Sequence, residues 1–286
     1  MNPFKDGALS KIGLIAGGGD LPIALAELCR LTERPYFVLR LSGMAEPALA
    51  AHPGEEIGIA ELGRQFSVLK REGCRAICFS GIVKRPDFSK LKPDLRGVMA
   101  LPRVVAAAAK GDDALLRSLI MEFEREGFAV EGAQDVADGL RLPVGPIGAV
   151  AAGPEHQDDI RLAVKVAKAI GALDVGQGAA AARGVVLAVE AQEGTDALLK
   201  RCAELPEALR GDAEHRVGVL AKWPKPDQER RIDLPTLGVA TVEGASAAGL
   251  AGIVAEAGAT LVIDRAAVIT AADRLGLFVV GLKGDA

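Results

Sequence analysis

The stretch that most restricts the fold is "KIGLIAGGGDLPIALAELCRL", residues 11 to 31. Its first apolar residues read as a short strand. The strand runs into Gly17, Gly18, Gly19 and Asp20, and apolar residues then return at helical spacing. Asp20 is the expected N-cap, with Pro22 in the first turn. A strand that turns through glycines into a helix is the opening unit of a parallel α/β sheet. The turn also offers backbone N–H groups at a helix N-terminus, which is a general anion site. It is not a dinucleotide fingerprint, because the third glycine of GxGxxG would fall at Pro22 or Ile23, and no GK[ST] follows.

The alternation continues. "PYFVLRL" reads as a strand, "ELGRQFSVLKREG" as an amphipathic helix ending at Gly73, and "RAICFSG" as a third strand. "DDALLRSLIMEFEREG" reads as a helix capped near Gly111 and Asp112, and "FAVEG" as a fourth strand. These elements predict an N-terminal Rossmann-like parallel-sheet domain over residues 1–138. The Gly- and Pro-rich stretch 139–154 reads as a linker. Residues 155–286 then read as a second, mixed α/β domain: a long helix, a hairpin turning at Arg183–Gly184, the strand "RVGVLAKW", and a tail of strand, strand, helix and strand. A chain of 286 residues is long enough for two cores.

Composition excludes several classes. The formal net charge is -4 and no basic stripe is evident, so no nucleic-acid partner is expected. No apolar run spans a bilayer, and "MNPFKDGALS" lacks a signal-peptide core, so a cytoplasmic protein is expected. Cys74 and Cys78 would share one face of a strand, yet no second Cys or His pair completes a zinc site. The four cysteines are read as buried free thiols of a reducing compartment.

Three further clusters could carry chemistry. Lys110, Asp112 and Asp113 stand at a helix start, where carboxylates also serve as caps. Glu190, Gln192, Glu193, Thr195 and Asp196 crowd a strand-to-helix junction, with more oxygen donors than a cap requires. In "LAKWPKPDQERRIDLPTLG", Lys222 and Lys225 lie beside Asp227, Glu229 and Asp233, on a loop stiffened by Pro224, Pro226 and Pro235. Cations and carboxylates together suit a phosphate ester bridged to a divalent metal, or else form a solvated charged loop. His52, His156 and His215 sit in no nucleophile motif, and GxSxG and HExxH are absent. Water activated by a metal or a carboxylate is the remaining hydrolytic chemistry.

The segments "KIGLIAGGGDLP", "RPDF", "KGDDALLR", "DVGQGAAA", "VEAQEGTDALL", "LAKWPKPDQERRIDLPTLG" and "AGIVAEAGATLVIDR" stand in an order that resembles one family, the LpxI-type UDP-2,3-diacylglucosamine pyrophosphatases of bacterial lipid A biosynthesis. The resemblance spans nearly all of residues 11 to 282. It implies a Mg²⁺-dependent hydrolase that releases UMP and 2,3-diacylglucosamine 1-phosphate (lipid X). Attack by water is expected at the sugar-side phosphorus, with the substrate between two domains that hinge about residues 139–154. It implies Asp233 as catalytic carboxylate and metal ligand. Beside it, the reading of the residues themselves offers Lys222 as catalytic cation, Glu190 as a second metal ligand, and Gly17, Gly18, Gly19, Asp20, Lys110, Asp112, Asp113, Gln177, Gly178, Thr195 and Asp196 as substrate contacts. The family reads Gln-Asp where this chain has Gln228–Glu229, so Glu229 is not assigned. An acyl-chain pocket lined by the alanines at 106–109 and 178–182 is a further expectation, as are a homodimer and peripheral contact with the inner membrane. Two other classes compete. One is a non-catalytic binder of nucleotide sugar or lipid. The other is an NAD-dependent oxidoreductase, which the strand ending in Arg40–Leu41 disfavours because it lacks the ribose-binding acid.

Overall fold

All five residues of β1 (Ile12–Ala16) are buried, which is the pattern of a central parallel strand covered on both faces. Around it β2 (Tyr36–Leu41), β3 (Gly54–Ile57), β4 (Ala76–Ser80) and β5 (Ala129–Val130) form a five-stranded sheet in the order β3-β2-β1-β4-β5. Every pairing is parallel. The structure is a computed structural model that describes residues 10–83, 87–226, 229, 231 and 234–284, without the side chains of Phe88 and Asp112. The chain divides into two compact units, Met1–Asp138 with Glu229–Ile232, and Gly139–Gln228 with Asp233–Ala286.

In the first unit α1 (Asp20–Leu31), α2 (Leu62–Arg71), α3 (Leu95–Ala108), α4 (Asp112–Arg125) and the single turn α5 (Ala133–Val136) accompany the sheet. Phe66 on α2 meets Phe123 on α4 edge-on at 4.9 Å, and Phe79 on β4 meets Phe123 at 5.2 Å. Such pairs add about 0.5–1.5 kcal/mol to their burial. The start of α1 differs from the sequence reading. Gly19, at φ 85°, is the N-cap, and Asp20 is the first helical residue. The sharp turn demands a positive φ, which leaves no place for a side-chain cap.

The second unit carries β6 (Gly145–Pro146), α6 (Gln157–Ala172), β7 (Gly178–Ala182), β8 (Val185–Val189), α7 (Gly194–Ala203), β9 (Val219–Lys222), β10 (Thr236–Leu237), α8 (Val239–Ala247), β11 (Gly252–Glu256), β12 (Leu261–Val262), α9 (Arg265–Leu275) and β13 (Phe278–Leu282). Six strands make a mixed sheet in the order β6-β13-β11-β9-β7-β8, and β10 and β12 form a separate parallel pair. The hairpin is confirmed. Arg183 and Gly184 both take positive φ, and the buried Asp159 of α6 accepts both of their N–H groups at 2.9 and 2.8 Å. The stretch 139–154 is not a bare linker, since β6 within it pairs antiparallel with β13 and Leu142 is buried in the core. Glycine and proline suit an edge strand as well as a linker. The alanines of β7 are equally committed to the core. Ala180 packs into one core cluster, Ala179 and Ala181 into another, so they line no acyl pocket.

All four cysteines are free and buried. Cys74 precedes β4 and joins the cluster of Ile77, so the alternation that would align it with Cys78 does not apply. Burial pushes the thiols of Cys29, Cys74 and Cys202 up to about 11, and Cys78 higher still. The native protein should therefore resist iodoacetamide at pH 8, while four thiols react in denaturant, counted by mass spectrometry. The same shifts remove stability as pH rises from 9 towards 11, because the unfolded chain releases protons that the folded chain retains.

Candidate functional site

The second unit gathers a buried polar group at one end of β9. All four residues of this strand are buried, and its last, Lys222, pairs with Gly178 of β7. One residue past β8, the N–H of Glu190 donates to the Gly178 carbonyl at 2.8 Å. Thr195, in the first turn of α7, does not cap its helix. Its hydroxyl instead donates to Glu190 Oε2 at 3.1 Å. Lys222 Nζ donates to the carbonyl of Thr236 on β10 at 3.0 Å. Only 5% of Lys222 and 7% of Glu190 are exposed. Burial pushes the Glu190 carboxyl up, against the pull of the Lys222 charge and the Thr195 hydroxyl.

Gly178 is required here for space. A Cβ on it would lie 2.4 Å from Glu190 Oε2, so the carboxylate lies over the glycine's α-carbon. The main-chain carbonyl of Gln177 accepts the main-chain N–H of Trp223 at 2.8 Å, while its side-chain Oε1 is buried without a hydrogen-bond partner. Asp196 is exposed on the first turn of α7. Lys225 is tied to Asp174 at 2.6 Å. Of the residues singled out in the sequence, Gly178, Glu190, Thr195 and Lys222 are thus brought together, with Gln177 beside Gly178 in the chain. The Thr236 carbonyl completes the group. No sequence pattern marks it, because it acts through backbone alone.

The other candidates lie in the first unit. In the strand order β3-β2-β1-β4-β5 the connections reverse between β1 and β4, which is where ligands of such sheets bind. Gly17, Gly18 and Gly19 follow β1 at this point. Their N–H groups are already engaged, however: Gly17 donates to Ser80 and Gly18 to Ile82, each at 2.9 Å, and Gly19 donates to Glu46 Oε1 at 3.0 Å. A Cβ on Gly17 would lie 2.5 Å from the Ile82 carbonyl oxygen. Close approach of the loop after β4 therefore explains the glycines without a ligand. An anion could recruit the Gly19 N–H only by displacing the Glu46 carboxylate, a residue the sequence reading did not single out.

Lys110 is exposed just beyond α3. Asp113, in the first turn of α4, pairs with Arg117 at 2.8 Å and accepts the backbone N–H of Glu229 at 3.0 Å. Glu229 is held by two side-chain bonds from Arg231, at 2.9 and 3.0 Å, and by the Arg231 main-chain N–H at 3.2 Å, which draw its carboxyl down. Arg231 also reaches Glu124 at 2.8 Å. The stretch read as one loop of the second domain is thus divided, with Glu229–Ile232 grouped with the first unit. Asp112 opens α4, but its side chain lies outside the described residues, as does the whole of Asp233. Among the described residues no group of three or more His, Cys, Asp or Glu could hold a metal ion.

A doubly wound parallel sheet in one unit and a mixed sheet with a buried Lys–Glu–Thr group in the other define a two-domain α/β protein. Comparison with known families takes this further. Residues 11–140 match the LpxI N-terminal domain and residues 143–280 the LpxI C-terminal domain. The chain is 58% identical over 274 residues to the UDP-2,3-diacylglucosamine pyrophosphatase LpxI of Caulobacter vibrioides, covering 96% of this chain and 98% of that protein. The chain belongs to the LpxI family.

Proposed function

We propose that this chain hydrolyses the pyrophosphate bond of UDP-2,3-diacylglucosamine to UMP and 2,3-diacylglucosamine 1-phosphate in lipid A biosynthesis. The observation that carries this is the 58% identity to the named pyrophosphatase along both units. Water adds to one phosphorus, the bond to the bridging oxygen breaks, and the second phosphate leaves with that oxygen. The proton passes to solvent.

The residues fit a hard divalent cation. Glu190 offers a carboxylate and Gln177 a buried amide oxygen without a partner, while the thiols are buried in the cores. Mg²⁺ takes such oxygens, needing one or two carboxylates beside substrate phosphate. Asp233 is the other ligand we assign, on the family resemblance. Bound there, the ion would neutralise charge on the pyrophosphate oxygens. Thr195 fixes the Glu190 carboxylate, and Lys222 supplies a second positive charge from a dry site, where it acts more strongly than in water. In the first unit, Asp20, Lys110, Asp112 and Asp113 remain assigned to substrate, and Gly17, Gly18 and Gly19 only on condition that the nucleotide displaces Glu46 from the Gly19 N–H.

Among the described residues no helix is long and apolar enough to cross a membrane. We assign the protein to the cytoplasmic face of the inner membrane, from which a diacylated substrate must be drawn. A homodimer belongs to the same reading, two-fold dimers being the commonest oligomers. Purified protein should release UMP from UDP-2,3-diacylglucosamine with Mg²⁺ and lose that activity in EDTA, read by chromatography of the nucleotide. Binding of the substrate without UMP under any divalent metal would instead establish the non-catalytic binder.

A further inference from the structure

The helix α3 carries an apolar stripe on the wrong side for a core. Gly97, Ala100, Val104 and Ala108 are its buried residues, recurring at three- and four-residue spacing. The opposite face is also apolar. Leu95 is 79% exposed, Val98 52%, Met99 58% and Val105 42%, and the exposed Pro102 lies between them. At 100° per residue these five fall within one band centred opposite the buried face. Single exposed apolar residues are ordinary, but a continuous stripe along about three turns marks a surface that something covers.

Charge indicates what covers it. Arg96 and Arg103 stand seven residues apart and so flank the stripe on one side, while Lys90 and Lys92 are exposed just before the helix. Over residues 84–110 there are seven Lys and Arg against two Asp, in a chain whose net charge is -4. Glu126 pairs with Arg96 at 2.8 Å and Glu122 with Arg103 at 2.9 Å. Each acid also serves a second base, Lys70 or Arg125, so these pairs leave an excess of positive charge. A two-fold contact between copies would set like charges close together. An anionic lipid leaflet would meet the same bases with opposite charge and receive the apolar stripe.

We propose that α3 is a membrane-docking helix that lies in the interface of an anionic bilayer, with Leu95, Val98, Met99, Pro102 and Val105 towards the acyl chains and the flanking bases at the headgroups. This rests on the reading of the substrate as a membrane lipid and supplies the surface through which the protein would reach it.

The test is co-sedimentation of the full-length chain with vesicles of phosphatidylethanolamine and phosphatidylglycerol, against vesicles of phosphatidylcholine alone. The wild type should partition to the anionic vesicles and come off at high salt. Val98→Glu/Met99→Glu should lower that partition at least about tenfold, since two inserted apolar side chains become charged. Lys90→Glu/Lys92→Glu should lower it about as much, because each basic residue near an anionic surface contributes about fivefold. Both variants alter exposed positions and should keep wild-type UMP release from detergent-dispersed substrate. The proposal is overturned if wild type ignores anionic vesicles or if the variants partition as wild type does. It is also overturned if Val98→Glu/Met99→Glu loses activity in detergent, which would make the stripe an acyl-chain site, or changes the sedimenting mass, which would make it a contact between copies. Absence of UMP release by wild type would refute the enzymatic reading alone, since vesicle binding is scored separately.

Discussion

Lys222→Met should lower kcat for UMP release by about 10²–10³-fold, the loss expected when a preorganised charge at a developing anion is removed. The geometry makes the cation both buried and aimed. It ends a fully buried strand, stands across from Gly178, and is held by the Thr236 carbonyl. The same substitution should cost stability, because it leaves the buried Glu190 carboxylate without the positive charge that acts on it most strongly. Removing one partner of a buried pair costs about 3–5 kcal/mol. Adding Glu190→Gln isolates the effect on stability, with Glu190→Gln alone as the reference for turnover. The double variant should regain most of the lost Tm, since no uncompensated charge remains, while turnover stays below that reference. Recovery of kcat to the reference together with Tm would make Lys222 a structural counter-ion and remove it from the reaction.

Asp233→Ala should be the more severe change in activity. As a metal ligand its loss forfeits the several kcal/mol by which a bound cation stabilises charge on a phosphoryl group, which is about 10³-fold or more in rate. Isothermal titration with Mg²⁺ should then show weakened metal binding, and excess Mg²⁺ should not restore the rate. If Mg²⁺ affinity is unchanged while turnover is lost, Asp233 acts on water or substrate instead. If turnover survives, the assignment of this carboxylate is wrong.

These two residues also show how far local sequence reaches. Lys222 was legible as a candidate because it stands with Lys225 beside Asp227, Glu229 and Asp233 on a loop stiffened by prolines. Its burial was not legible, since it depends on β7 and β11 flanking it and on β10 supplying the Thr236 carbonyl. Glu190 and Thr195 were legible as a crowd of oxygens at a strand end, but their mutual bond requires the turn into α7. Asp233 rests on family resemblance alone, its surroundings lying outside the described residues.

The sequence by itself determined the elements whose signals are local. Apolar runs bounded by glycines specified β1, β2 and β4. Helical spacing specified α2, α4 and α6, and two residues able to take positive φ specified the turn between β7 and β8. The tertiary structure alone decided what depends on partners far along the chain. It placed Ile82 and Glu46 against the glycine turn, so those glycines serve close packing as much as any anion. It paired Gly145 and Pro146 with β13 and turned an expected linker into an edge strand. Helices α3 and α8 were not read at all, α3 because its exposed face is as apolar as its buried one. Hydrogen-bond period and side-chain spacing are written in neighbouring residues, whereas close approach, burial of a charge and strand partnership are set by surfaces that meet only when the chain has folded.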